Sequence, residues 1–293
     1  MLNNGVNSKN SFIRKGSGFL LRVPRFIDRL SSYSNCAKNV PPVLINSFPK
    51  SGTHLLTQIV SALPDRRDYG NLIASMTSSF LFRERSVENT LKKIRSIIPG
   101  ETVRGHLFYN FNYDEELTSR KAVHYFIFRD PRDVVISEAH YLRDINRWHR
   151  LHRNFCQTNG LDEAISLSIQ GIQDNIIKYD YPNVKKRFER YFEWLKSENV
   201  FSIRFEDLIS DKRKDTVRRI VDFYAERSCL DFNRDATVRL AIDNIQPEKS
   251  HTYRKGEIGG WHEQFSSINK ALFKDIAGDL IIELGYETSL SRK

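Results

Sequence analysis

Cysteine is scarce in this sequence. Three occur in 293 residues, Cys36, Cys156 and Cys229, far apart and with no C-x-x-C spacing. An odd, scattered set excludes a disulfide framework and a cysteine-rich zinc site, and it predicts a reducing, cytoplasmic setting. Long apolar runs are also missing. No stretch approaches the roughly 18 apolar residues that span a bilayer. The short run Phe19-Leu20-Leu21 is cut by Arg22 and Pro24, too soon for the apolar region of a secretory leader. Internal repeats and low-complexity tracts are absent, as is the G-x-x-x-x-G-K-[ST] triphosphate loop.

What is present reads as an ordinary globular chain, 40% apolar and 28% charged, long enough to bury a large core. The net charge of +10 is uneven. Residues 1–40 hold Lys9, Arg14, Lys15, Arg22, Arg25, Arg29 and Lys38 against the single acid Asp28, a net +6. The other 253 residues carry only +4, which argues against a nucleic-acid-binding surface. Residues 1–40 are predicted to form a basic arm. Its apolar residues between Phe12 and Leu30 fit one face of a short basic helix. That face is either a solvated, partly ordered segment or a weak contact with a membrane surface or polyanion.

From Pro42 onward, strands alternate with helical segments. Strands are predicted at 43–48, 102–104, 123–128 and 200–205. Helices are predicted at 53–63, 87–97, 132–143, 162–178, 183–197, 213–226, 234–243 and 269–284, with 65–100 otherwise mixed. Parallel strands joined by helical crossovers give an α/β fold, here a three-layer sheet flanked by helices. Residues 41–293 are predicted to be one such domain.

Three segments carry candidate chemistry. The first is Ser47-Phe48-Pro49-Lys50-Ser51-Gly52-Thr53-His54, between an apolar strand and a helix. Backbone amides at the end of a parallel strand and in the first turn of the next helix bind oxyanions. Gly52 permits close approach, Ser51 and Thr53 add hydroxyls, and Lys50 precedes the glycine instead of following it. The bland alternative is a surface turn. The second is Arg129-Asp130-Pro131-Arg132-Asp133, with Ser137 further along the helix. Asp130 suits an N-cap and Pro131 the first turn. Arg129 offers a planar fork to a phosphate, or it pairs with Asp133. The third is Tyr253-Arg254-Lys255-Gly256-Glu257-Ile258-Gly259-Gly260-Trp261, a glycine-rich loop with two adjacent cations. Read alone, it is an ordinary basic loop.

Taken in order, the three resemble the nucleotide-binding elements of sulfotransferases that use 3′-phosphoadenosine 5′-phosphosulfate (PAPS). Pro49–Thr53 resembles the family's 5′-phosphosulfate loop. The stretch from Arg129 to Ser137 resembles its 3′-phosphate element, and Arg254–Gly259 its late Arg-Lys-Gly-x-x-Gly segment. Phe205-Glu206-Asp207-Leu208 resembles a further landmark. The resemblance implies a P-loop-type parallel sheet and an enzyme with PAPS as co-substrate and no metal. It implies a donor site of Lys50, Ser51, Gly52, Thr53, His54, Arg129, Ser137, Arg254, Lys255 and Gly256. It explains the early lysine: Lys50 meets the charge that develops on the oxygen bridging sulfur and phosphorus. Two positions depart from the pattern. Leu55 stands where many cytosolic members have an adenine-stacking tryptophan, and Gly260 stands where many have aspartate.

A hydroxyl acceptor must lose a proton as it attacks, and histidine is matched to that near neutral pH. His106, in Val103-Arg104-Gly105-His106-Leu107, resembles the family's catalytic histidine region. His54, Glu101 and Glu84 are rivals. His140, His149 and His152 show no metal-ligand spacing. The expected acceptor is a hydroxyl, or secondarily an amine, of a small molecule or sugar-containing compound, recognised by residues 65–100 and 140–180. Residues 141–155, rich in aromatic and basic side chains, either face an anionic or sugar-like acceptor or form a merely solvated helix. Two other functions remain open: a nucleotide kinase, and a non-catalytic nucleotide- or polyanion-binding protein. The sequence carries no mark of an oligomer interface.

Overall fold

The computed structural model describes residues 16, 20–32, 40–172, 181–246 and 256–288. The chain divides into two compact units. Met1–Ser75, Ser86–Phe128 and Glu193–Gly256 make the first; Met76–Arg85, Arg129–Phe192 and Glu257–Lys293 make the second.

The first unit holds one five-stranded sheet: β1 (Val43–Ser47), β2 (Arg67–Ala74), β3 (Glu101–His106), β4 (Val123–Phe128) and β5 (Val200–Arg204). The order is β2-β3-β1-β4-β5, with every neighbouring pair parallel. The expected parallel α/β architecture is therefore present. The central strands β1 and β4 are buried along their whole length, as strands covered on both faces must be. Period two along these strands sends Val43, Ile45, Val123, Tyr125 and Ile127 to one face. There they meet α2 (Thr53–Val60), α10 (Arg213–Ser228) and α11 (Arg234–Asp243) in one buried cluster. The alternate positions Leu44, Asn46, His124 and Phe126 face the other way and are equally buried. On that side the His124 ring lies edge-on to Trp194, with centroids 4.6 Å apart.

The same unit holds α1 (Arg22–Ser32), α3 (Val87–Arg95), α4 (Phe111–Ser119), α9 (Phe205–Ile209) and part of a short 3-10 turn at Phe192–Leu195. Helix α1 falls within the expected basic segment, whose residues 12–15 and 17–19 lie outside the described residues, and it docks through charge. Arg25 donates from Nε and Nη2 to the fully buried Glu101 carboxylate, at 2.9 and 3.0 Å, and from Nη2 to the Ser96 carbonyl at 2.6 Å. Asp28 binds Tyr69 and Arg67. Leu21 packs with Tyr69 and Ile98.

The second unit is helical: α5 (Pro131–His140) continuing into a π-turn at Tyr141–Ile145, α6 (His152–Cys156), α7 (Leu161–Gln170), α8 (Val184–Glu189), α12 (Trp261–Gln264) and α13 (Ser267–Glu283), the last bent at Ala277. Among the described residues no helix is long and apolar enough to cross a membrane. Cys156 and Cys229 are free thiols.

Candidate active site

The end of β1 turns into α2 through residues 48–52, and the turn is built from unusual backbone. Lys50 has φ 67° and Gly52 has φ 99°, with Ser51 between them on the ordinary side. Alternating hand along successive residues turns their amides toward one side, the concavity that binds anions. A lysine held in the left-handed region costs on the order of 1–2 kcal/mol, and such strain concentrates where function needs it. Gly52 has no substitute here. A Cβ would lie 2.5 Å from Phe205 Cδ2, well inside any tolerated contact. Phe205 thus sets the close packing of the loop against α9, a role the Phe205–Leu208 sequence does not reveal by itself.

Helix α2 starts at this loop without a side-chain cap, as do α6, α7, α9, α10 and α12, whereas α3, α4, α5, α8, α11 and α13 are each capped by Ser, Asn or Asp. The first amides of a helix have no acceptor within the helix, and its dipole favours an anion there. Ser51 is fully buried and its Oγ has no hydrogen-bond partner. A buried hydroxyl is normally satisfied. This one, beside the left-handed turn, fits the oxygen of a bound phosphate or sulfate group. Thr53 opens the helix, and its Oγ1 lies 2.6 Å from Ser47 Oγ. His54 is half-exposed in the same first turn. Leu55 is buried in the apolar cluster of the first unit.

His106, at the end of the neighbouring β3, reaches the same place. Its Nδ1 lies 3.1 Å from both Ser47 Oγ and the Ser47 carbonyl oxygen. A carbonyl only accepts, so Nδ1 carries the proton and Nε2 keeps the lone pair. Burial holds the imidazole below its ordinary pKa. The positive charges of Lys50 and Arg104 push the same way, against the opposing Ser47 carbonyl. A neutral His106 with a defined tautomer, linked through Ser47 to Thr53, therefore stands at the carboxyl edge of the sheet. Ser47 carries no signal in the sequence beyond its position as the last strand residue before the loop. Asn46 anchors the strand crossing: Leu107 N donates to its Oδ1 at 2.8 Å, and its Nδ2 donates to the Leu107 carbonyl at 3.3 Å.

Glu101 does not share that environment. It is fully buried at the other end of β3, where Arg25, Asn71 and the Ile98 amide occupy it. It is a structural anchor, and the notion of Glu101 as base is set aside. Glu84 lies in the second unit, 3.6 Å from Arg190.

In the second unit, Asp130 caps α5 by accepting from Arg132 N, with Pro131 in the first turn, as the sequence predicts. Arg129, immediately after β4, donates to the Glu257 carbonyl at 2.6 Å and pairs with Asp133 at 3.3 Å. Asp133 also accepts from the Gly259 and Trp261 amides, at 3.0 and 3.1 Å. Burial raises the Asp133 carboxyl above its usual range, a shift opposed by Arg129 and those amides. The Arg132 guanidinium stacks 3.9 Å over the Trp261 ring. Together Arg129, Arg132 and Asp133 tie residues 257–261 to the start of α5. Ser137 lies half-exposed on that helix. Gly256 closes the first unit with φ 63°. Arg254 and Lys255 lie outside the described residues.

Several solved structures share this fold. Mouse sulfotransferase SULT7A1 complexed with PAP aligns with a TM-score of 0.56 at 18% identity, covering 83% of this chain and 87% of that one. Retinol dehydratase in complex with androsterone and PAP aligns at 0.54 and 14% identity, covering 85% of this chain and 82% of that one. Retinol dehydratase with retinol and PAP gives 0.54 and 14%, with coverage of 83% and 82%. No curated protein sequence matches. The sulfotransferase-domain family model matches residues 40–284, most of the chain, and this sets aside the nucleotide-kinase alternative. The chain belongs to the sulfotransferase domain family.

Proposed function

We propose that this sulfotransferase takes its sulfuryl group from PAPS and delivers it to the hydroxyl of a small-molecule acceptor, with Lys50 and His106 as the catalytic residues. The observation that carries the reading is the meeting of two features at one sheet edge. One is a strained anion-binding turn around an unpartnered, buried Ser51 hydroxyl; the other is a neutral histidine whose Nε2 holds the lone pair. When bound, PAPS supplies the sulfuryl group and leaves as PAP. The turn at 50–52 and the first amides of α2 hold the 5′ end. Lys50 balances negative charge as the sulfur–oxygen bond on the phosphate side breaks. His106 Nε2 accepts the acceptor's hydroxyl proton as the new oxygen–sulfur bond forms. Ser47 holds the ring in the working tautomer.

The assignment of Arg129 and Ser137 to the 3′-phosphate, and of Arg254, Lys255 and Gly256 to the donor, rests on the motif order. The similar structures hold PAP alone, or PAP with androsterone or retinol, which accords with a small-molecule acceptor. An aminated or sugar-containing acceptor is the second choice. The free thiols Cys156 and Cys229 suit a reducing, cytoplasmic setting.

The test is transfer of labelled sulfate from PAPS to a panel of alcohols and amines. Lys50→Ala and His106→Ala should each lower turnover by roughly a hundredfold or more, within the range for loss of a charge-stabilising group or general base. PAP binding should change only modestly. Wild-type turnover that survives either change removes that residue from the chemistry. PAP binding without turnover of any acceptor would favour the non-catalytic reading.

A further inference from the structure

Helix α1 wears its amphipathicity inside out. At about 100° per residue, Val23, Phe26, Ile27 and Leu30 fall on one stripe about 100° wide, and Leu20 lies just ahead of the helix. A helix of a soluble domain ordinarily turns such a stripe inward. Here all five residues are 55–65% exposed. The side that docks on the first unit carries Arg25, Asp28 and Leu21, held by Glu101, Ser96, Tyr69 and Arg67. Those contacts fix the rotation of the helix, so the outward stripe is a consequence of a specific dock.

Charge says what the stripe faces. Arg22 and Arg29 are exposed and border it on the Phe26 side. Asp28 is the single acid of residues 1–40, and its carboxylate is turned inward to Arg67 and Tyr69. The outward surface of α1 is therefore apolar and basic with no acid, within an arm of net charge +6. That combination defines helices lying in the plane of an anionic bilayer surface, with the apolar face in the headgroup boundary and cations on the headgroups. A second copy of this chain fits less well, because facing α1 helices would bring their arginines together with no acid to receive them.

We propose that α1 is an interfacial helix that seats this enzyme on an anionic lipid bilayer through Leu20, Val23, Phe26, Ile27 and Leu30, with Arg22 and Arg29 on the headgroups.

The experiment is co-sedimentation of the full chain with vesicles of phosphatidylcholine alone, or of phosphatidylcholine and phosphatidylserine in equal parts, at low and high salt. Binding to the anionic vesicles should exceed binding to the neutral ones by roughly tenfold and weaken with salt. The double variant Phe26→Ser, Leu30→Ser should lose it. Arg22→Gln with Arg29→Gln should retain residual binding but lose the anionic preference. Phe26→Trp supplies an independent readout if the serine variant proves unstable: its added fluorescence should shift to the blue on anionic vesicles. Equal sedimentation of wild type and the serine variant, or no blue shift in Phe26→Trp, overturns the proposal. So does self-association that depends on Phe26 and Leu30 in the absence of vesicle binding.

Discussion

Helices α1 and α2 are of similar length, belong to the same unit and each carry an apolar stripe, yet they bury opposite sides. In α2, Leu56, Ile59 and Val60 are fully enclosed in the main cluster and Leu55 nearly so. In α1 the stripe stays outside and the charged side goes in. The difference traces to what waits on the sheet. α2 returns over Val43, Ile45 and Tyr125, which offer only apolar surface. α1 meets Glu101, a carboxylate with no exposure, which is tolerable only when paired. Arg25 meets that need, and the dock follows the charge. An apolar stripe therefore tells which side chains avoid water, and the partner surface decides which side of the helix is buried.

Substitutions can break this contrast at several strengths. Leu56→Ala in α2 should cost about 2–5 kcal/mol, measured by denaturant midpoint, because it opens a cavity in the main cluster. Gly52→Ala at the start of the same helix should cost about 2–4 kcal/mol, from left-handed strain together with overlap against Phe205. Measured in a Phe205→Ala background, the cost of Gly52→Ala should be smaller, and strict additivity of the two changes would deny the contact. Glu101→Gln should cost about 1–3 kcal/mol and loosen α1, read as faster amide exchange at 22–32. In contrast, Phe26→Ser in α1 should change stability in solution by less than about 0.5 kcal/mol. A cost as large as that of Leu56→Ala would mean that the stripe is covered within the molecule.

The sheet face away from α2 yields a pH prediction. His124 is buried with neither ring nitrogen hydrogen-bonded, and burial pushes its pKa down to about 3. The unfolded chain binds this proton more readily than the folded one. Stability from His124 is therefore complete above about pH 6.5 and declines as pH falls toward about 3, by up to about 1.4 kcal/mol per pH unit. His124→Phe should flatten that slope. His106 has the same sign, so it keeps its base form below the ordinary histidine range, and the acid limb of kcat/KM should lie below about pH 6.5.

Much of the fold is legible in the sequence because buried parallel strands announce themselves. Val123–Phe128 and Arg234–Asp243 appear at the predicted bounds, and β1 and β5 end one residue early. The edge strand β2 is not among the predicted strands. It is the polar run Arg67-Asp68-Tyr69-Gly70-Asn71-Leu72-Ile73-Ala74, with Gly70 at φ 77° and its register broken between Asp68 and Leu72. An edge strand with a bulge lacks the alternation that reveals a half-buried one. Helix α4 is not predicted either, although Asn110 caps it plainly. Helix α7 runs from Leu161 to Gln170, and residues 173–178 of the expected helix lie outside the described residues. Gly171 turns to φ 78° at the helix end, and a Cβ on it would lie 2.4 Å from the Pro182 carbonyl carbon. The glycine is a local stop signal, and the close approach of Pro182 is the part no local pattern shows. In the candidate site, residue type alone picks out the turn at 49–53 and His106. The Ser47 bridge between them, and Phe205 behind Gly52, depend on strand order and stay hidden.

The most direct test of the central claim is a thermal titration of the full chain with PAP, ADP and ATP-magnesium. A ligand of the folded state raises the melting temperature by mass action. The account predicts a clearly larger rise with PAP than with ADP, lost in Gly52→Ala. An equal response to PAP and ADP, or a response to ATP-magnesium alone, would contradict it.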